Sequence, residues 1–194
     1  MQRIIKSPNS VVIAKGISYK VNGDNTVLQQ ILKTEQNSFC AYTETYLGRS
    51  DKAEIDHFNP TLKGTKGDHY LNWFLVKAKW NSEKSKKWTK FQPVLHPTSE
   101  DFNKRIVYQE GDYSVHSEDD LEAKHLIELL KLDDPDLADE RKRYIRRKRE
   151  EIALFEQSPQ EFFNTLLQEN ISQIQFPRAI YEEFGIDIYS IRTS

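Results

Sequence analysis

The chain of 194 residues holds one cysteine, one methionine, seven glycines and seven prolines. A single thiol, Cys40, excludes an intrachain disulfide framework. No stretch approaches the roughly twenty apolar residues of a membrane-spanning helix, and Met1–Pro8 lacks the apolar core of a secretory signal. These absences lead to the expectation of a cytoplasmic protein with no membrane partner. Neither charge sign dominates: 28 Lys and Arg face 30 Asp and Glu, for a formal charge of -2. A general polyanion-coating protein is therefore disfavoured, whereas a local basic surface is not. With 37% hydrophobic and 11% aromatic residues the chain can build a core, so global disorder is not expected.

What is present is unevenly spread. Six lysines fall within 77–90, acidic residues gather in 112–122, and residues 141–149 read Arg-Lys-Arg-Tyr-Ile-Arg-Arg-Lys-Arg. No repeat and no low-complexity segment is found. Before residue 117 the pattern is one of short strand-like pieces and turns. Val11–Ala14 and Ile17–Val21 read as extended, and Thr26 reads as the cap of a helix over 27–34. Residues 39–42, 54–58 and 72–78 read as strands. Asn59-Pro60 closes the second of these, a loop with Gly64 and Gly67 follows, and 80–88 reads as a short helix.

After residue 117 helical periods take over. Ser117, with Asp120 three residues on, reads as a capping box ahead of an apolar stripe over Leu121, His125, Leu126, Leu129, Leu130 and Leu132. Asp134-Pro135, Ser158-Pro159 and Pro177 each place proline at the first position of a further helix, and Gly185 ends the last. The expected class is α+β, divided into 1–38 as an N-terminal extension, 39–92 as the core, 93–116 as a linker or extension and 117–194 as a helical region, which with the first thirty residues is the expected surface for partner docking.

The chemistry gathers in the middle. Asp56-His57 is followed by Asn72, fifteen residues beyond the histidine, and by Asn81-Ser82-Glu83-Lys84 nine further on. An Asp-His pair alone is as ordinary as any polar pair at the edge of a core. With two amides and a lysine at these spacings it can serve phosphodiester hydrolysis. Asp56 and the side-chain carbonyl of Asn81 are hard oxygen ligands for one Mg²⁺ or Mn²⁺, which keeps several waters of its own. His57 titrates near neutrality and suits a general base toward the attacking water. Neighbouring side chains on a strand face opposite ways, so Asp56 and His57 can share a site only where the strand ends, as Pro60 suggests. Asn72 would brace the loop that carries His57. Lys77, Lys79, Lys86 and Lys87, interleaved with Trp80, Trp88 and Phe91, suit phosphate contact, though a solvated helix face would read the same way. The 141–149 run reads equally as an exposed helix face, a second phosphate contact or a surface for an acidic partner. His69, His96, His116 and His125 carry no clear role, with His69 placed to approach the site.

Glu54-Ile55-Asp56-His57-Phe58-Asn59-Pro60, Tyr70-Leu71-Asn72 and Asn81-Ser82-Glu83-Lys84 together resemble the HNH (ββα-metal) endonucleases. The resemblance implies that His57 is the base, Asp56 and Asn81 the metal ligands and Asn72 structural, with Lys84 meeting phosphate or stabilising the transition state. Many such enzymes also carry two Cys-x-x-Cys knuckles around a structural Zn²⁺. The matching positions here are Cys40, Thr43, Lys77 and Trp80, so no structural Zn²⁺ is expected.

A looser resemblance covers most of the chain. Phe39–Glu44, Ile127–Asp133 with Leu137 and Arg141, and Phe176–Ile180 look similar to the nuclease subunits of Septu and retron-associated anti-phage systems, the PtuB group. That resemblance implies a PtuA-like partner ATPase that gates the nuclease. DNA is the first expected substrate, and RNA, including tRNA, the alternative. Two other readings remain open: a non-catalytic nucleic-acid-binding or scaffold subunit, and a stand-alone restriction-type nuclease.

Overall fold

The computed structural model describes residues 1–191 and is α+β, with helices outnumbering strands. The middle of the chain forms an antiparallel hairpin of β1 (Ala53–His57) and β2 (Trp73–Lys77), followed directly by α3 (Ala78–Ser85). Register pairs Ala53 with Lys77 at one end and His57 with Trp73 at the other. Phe74, Leu75 and Val76 are wholly buried, because β2 has chain on both faces. The expected order of strand, loop, strand and helix is therefore observed, with the helix starting two residues earlier than its sequence pattern suggested.

Ahead of the hairpin lie α1 (Val11–Ala14) and α2 (Thr26–Glu35). The expectation of an extended segment at 11–14 fails because the Ser10 hydroxyl accepts the Val12 N–H and caps a turn of helix. Residues 17–21 form neither strand nor helix. Thr26 is the first residue of α2 and not its cap, since the Asp24 carboxylate accepts its N–H. Nor is 39–42 a strand: Phe39 makes one bridge to Tyr46, and the chain turns back between them, with Glu44 N donating to Cys40 O. Gln36 closes the edge of β2 in place of a third strand. Its amide donates to Leu75 O and accepts from Leu75 N.

Residues 93–116, expected as a linker or extension, hold α4 (Phe102–Arg105) and a second hairpin of β3 (Ile106–Gln109) and β4 (Asp112–Val115). Glu110 and Gly111 at its tip both take positive φ, the tight two-residue turn whose twist matches the strands. The helical region follows with α5 (Leu121–Leu130), α6 (Pro135–Leu154), α7 (Pro159–Glu169), α8 (Pro177–Phe184) and α9 (Ile188–Ile191). Asp120, not Ser117, caps α5 by accepting Ala123 N–H, and its carboxylate also receives Arg105. Proline opens α6, α7 and α8 as the sequence predicts, Ser158 and Glu161 form a reciprocal capping box, and Gly185 ends α8 in the left-handed conformation.

Two apolar clusters organise the chain. The larger runs from Met1 through α2, the β1–β2 hairpin, Phe102, Tyr113 and α5 to Leu132. It thus draws on all four segments separated by sequence pattern, and residues 1–38 belong to the core. The smaller one gathers Phe39, Tyr144, Ile145, Phe162, Phe163, Ile174, Phe176 and Ile180. Phe176 N donates to Glu44 O, and Tyr46 N donates to Gln175 Oε1, so the helical region clasps the turn after Phe39.

Gly111 bears on this docking. A Cβ there would meet Ala138 O of α6 at 2.9 Å, on a backbone already at φ +88°. Gly111→Ala is expected to lower stability by about 1–3 kcal/mol, read as the urea midpoint of the folded chain.

Candidate active site

Asp56 and His57 end β1 and face opposite sides of it. The Asp56 side faces α3. Lys84, three residues after Asn81 and so on the same helix face, sends its Nζ to within 3.0 Å of Asp56 Oδ2. The same ammonium donates to His57 O at 2.8 Å and to Phe58 O at 2.7 Å. Tyr42 OH also donates to Asp56 Oδ2 through a short contact. Asp56 is 2% exposed and Lys84 0%. Burial pushes the carboxyl pKa up, against the pull of Lys84 and Tyr42; burial also pushes the Lys84 amine down, against Asp56. The family resemblance implies that Lys84 meets phosphate or stabilises the transition state. The structure places it beneath the end of β1, where all of its hydrogen bonds go to protein oxygens.

The His57 side faces the loop between the strands. Its Nε2 lies 3.1 Å from Asp68 Oδ2, off the line of a hydrogen bond, so the contact is electrostatic. Asp68 is itself fixed. Its Oδ1 accepts Trp73 Nε1 at 2.6 Å and Asn72 Nδ2 at 3.1 Å, and its Oδ2 accepts Gly64 N. The Tyr19 ring packs against the imidazole at right angles, with centroids 4.4 Å apart and planes at 89°, and Lys63 Nζ stands over Tyr19. His57 is 4% exposed. Burial holds its pKa below the ordinary imidazole value, while Asp68 opposes that shift and Lys63 and Lys84 add to it. The ring is therefore neutral at neutral pH, the form a base requires. With Nε2 against Asp68, Nδ1 is the nitrogen left for proton transfer, and it has no hydrogen-bond partner among the described residues.

Asn72 joins the two ends of the loop. Its Oδ1 accepts Asn59 N at 2.7 Å, its Nδ2 donates to Asn59 O, and its own carbonyl accepts Phe58 N. Asn81 is paired by the structure with Glu54, whose Oε2 accepts Asn81 Nδ2 at 3.1 Å. That bond fixes which end of the amide is NH₂ and turns Oδ1 away from Glu54. Among the described residues no three His, Cys, Asp or Glu side chains form a metal-holding group. The donor chemistry of Asp56 Oδ1 and Asn81 Oδ1, neither with a hydrogen-bond partner among the described residues, does fit a hard divalent cation that keeps most of its waters.

Lys79 and Lys86 are exposed on and after α3, and Lys77 and Lys87 are half-buried. Lys77 lies 3.5 Å from Asp51, and Lys79 stands over Trp80. At the positions of the zinc knuckles, Cys40 Sγ accepts Lys77 N, the Thr43 hydroxyl meets that of Thr45, and Trp80 packs against the larger core. His69 uses its Nδ1 on the Leu71 amide, and His96 packs edge-on against Phe58, where burial pushes its pKa down to about 4.

Three residues of this centre escaped the sequence reading. Glu54 lies two positions before Asp56, and strand alternation alone puts both on one face. Tyr42 carried only the signal of an aromatic in the Phe39–Tyr42 stretch. Asp68 is the single acid of the 58–72 loop, and only the fold shows that it meets His57. Comparison with family models, with curated proteins and with solved structures returned no match.

Two outcomes follow from the geometry. Lys84→Met leaves Asp56 and two strand-end carbonyls without their cation, and is expected to lower unfolding free energy by about 3–5 kcal/mol in urea titration. Asp68→Asn removes the charge that raises the His57 pKa, so that pKa is expected to fall further in an NMR titration of the ring.

Proposed function

We propose that this chain is a metal-dependent endonuclease of the HNH type, with the β1–β2 hairpin and α3 as its ββα unit. The observation that carries the reading is His57 held against Asp68 at the last position of β1, with Asp56 beside it and Lys84 and Lys63 within electrostatic reach of both. In this reading His57 Nδ1 takes a proton from a water as its oxygen bonds to phosphorus. The opposite P–O bond breaks, and the leaving oxygen departs as an alcohol after gaining a proton from solvent. Asp68 orients the ring and stabilises the imidazolium that forms, as the buried acid does in other Asp-His pairs. Asp56 and Asn81 would hold Mg²⁺ or Mn²⁺, which supplies charge neutralisation at the phosphate and the leaving oxygen. Lys84 keeps Asp56 and the carbonyls of His57 and Phe58 in register, and acts as a positioning residue.

DNA is the first substrate of this proposal and RNA, including tRNA, the second. By the resemblance to the Septu and retron-associated subunits, the enzyme works in the cytoplasm as the effector of an anti-phage complex, under a PtuA-like ATPase. The 4% exposure of His57 supports a gated enzyme, because a phosphate needs more room beside the ring than that exposure leaves. The same burial favours, as a second reading, a subunit that binds nucleic acid without cutting it.

The test is cleavage of matched DNA and RNA substrates with Mg²⁺, Mn²⁺ or EDTA, with and without the co-expressed ATPase. Cutting that needs the metal is expected to fall about 10²–10⁴-fold in His57→Ala with the fold retained. In Asp68→Asn the expected fall is about 10²-fold. Equal cutting by wild type and His57→Ala, or no cutting under any of these conditions, would sink the nuclease reading and leave the binding subunit.

A further inference from the structure

The basic run at 141–149 is divided by the helix that carries it. Arg141, Tyr144, Ile145 and Lys148 of α6 are buried, while Lys142, Arg143, Arg146, Arg147 and Arg149 are exposed. The buried cations are committed inside the fold. Arg141 donates to Leu132 O and Leu137 O, and Lys148 donates to Glu151. Of the exposed ones Arg149 is held by Glu183. Arg147 has a loose contact of 3.5 Å with Glu151 at 64% exposure, and Arg143 and Arg146 have no acid partner among the described residues.

Those three arginines line a groove of about 590 Å³ together with Lys77, at the junction of β2 and α3. Thr45, Tyr144, Gln175, Phe176, Glu140 and Glu150 also line it. Arg143 and Arg146 are its cations without an acid partner among the described residues, while Lys77 and Arg147 each have a loose 3.5 Å contact with Asp51 and Glu151. We propose that this groove holds the phosphodiester backbone of a nucleic-acid strand on its way to His57. The inference rests on the nuclease reading and names where its substrate lies.

Three features favour a phosphate chain. Guanidinium groups pair with phosphate in a bidentate, planar geometry that a lysine patch does not offer. One turn of α6 separates Arg143 from Arg146 and Arg147, so they present successive donors along one line. Lys77, moreover, pairs with Ala53 in the hairpin whose other end is His57. Four strand residues, roughly 13 Å, separate groove and base, a distance of about four base-pair steps of a duplex. Neither basic segment, 77–90 or 141–149, shows this from sequence; only the docking of α6 against the turn after Phe39 makes one groove of them.

The experiment uses the full chain and labelled 30-mers of single- and double-stranded DNA and RNA, in EDTA so that no cleavage intervenes. Affinity is measured across a salt series for wild type, for Arg143→Ala/Arg146→Ala/Arg147→Ala, and for a control of equal charge loss elsewhere, Lys15→Ala/Lys104→Ala/Lys124→Ala. The groove variant is expected to bind at least ten-fold more weakly at fixed salt. Its log–log salt slope is expected to be shallower by about two to three, near 0.7–0.9 per lost phosphate contact. The control is expected to keep the wild-type slope, and circular dichroism reads retention of fold in both. A groove variant with wild-type affinity and slope, or a control that falls equally, overturns the proposal. So does a groove variant that keeps nucleic acid but loses the co-expressed ATPase, which would make the groove a protein interface. If wild type binds through the groove yet never cuts, the nuclease reading fails and the groove stands.

Discussion

One ammonium group holds the centre of this protein together. Lys84 comes from α3, yet its three oxygen partners all belong to the last residues of β1 and the first beyond it. A lysine in a dry interior is tolerated only when its protons are all placed, and here two carbonyls and a carboxylate place them. The arrangement accomplishes two things. It docks α3 on the hairpin at a fixed height, and it ties down the strand end where Asp56 and His57 diverge. The carbonyls of His57 and Phe58 would otherwise be orphaned, because the strand stops pairing there.

Around that tie the two faces of β1 have different electrostatics. On the α3 side Asp56 sits among Lys84, Tyr42 and, two residues along, Glu54 with Asn81. On the loop side His57 meets Asp68 and the Tyr19 ring. Desolvation works against the charged form on both faces, and each face carries one opposite charge to resist it. Burial thus moves the Asp56 and His57 pKa values toward each other, one upward and one downward.

Much of this was legible in the sequence. The class, the hairpin and helix around residues 53–85, and the helices opened by Asp134-Pro135 and Ser158-Pro159 all follow from local signals that the fold leaves intact. The misses share a cause. Val11–Ala14 took its conformation from a single capping hydroxyl, and Phe39–Tyr42 became a turn because Glu44 reaches back to Cys40. The 93–116 hairpin owes its place to docking on α6, which no local pattern encodes. Within the site, Asp56 and His57 stand out by type and spacing. Asp68 does not, since an acid in a Gly- and Lys-rich loop is an unremarkable surface residue until the loop folds back. Lys84 was visible, but its direction was not: helical spacing from Asn81 turns it inward.

The Asn72 bridge and the clasp between Tyr46 and Gln175 differ in the chain they enclose. Asn59 to Asn72 spans 13 residues and Glu54 to Asn81 spans 27, whereas Tyr46 to Gln175 spans 129. Closing the longest loop loses about 1.4 kcal/mol more chain entropy than closing the 27-residue one. The β1–β2 hairpin is thus a locally sealed piece of chain, and the later helices are attached to it by long-range closures. A fluctuation that frees α6 to α8 opens those long loops first and leaves the short ones shut. The centre, with α5 packed in the same cluster, depends least on α6 to α8.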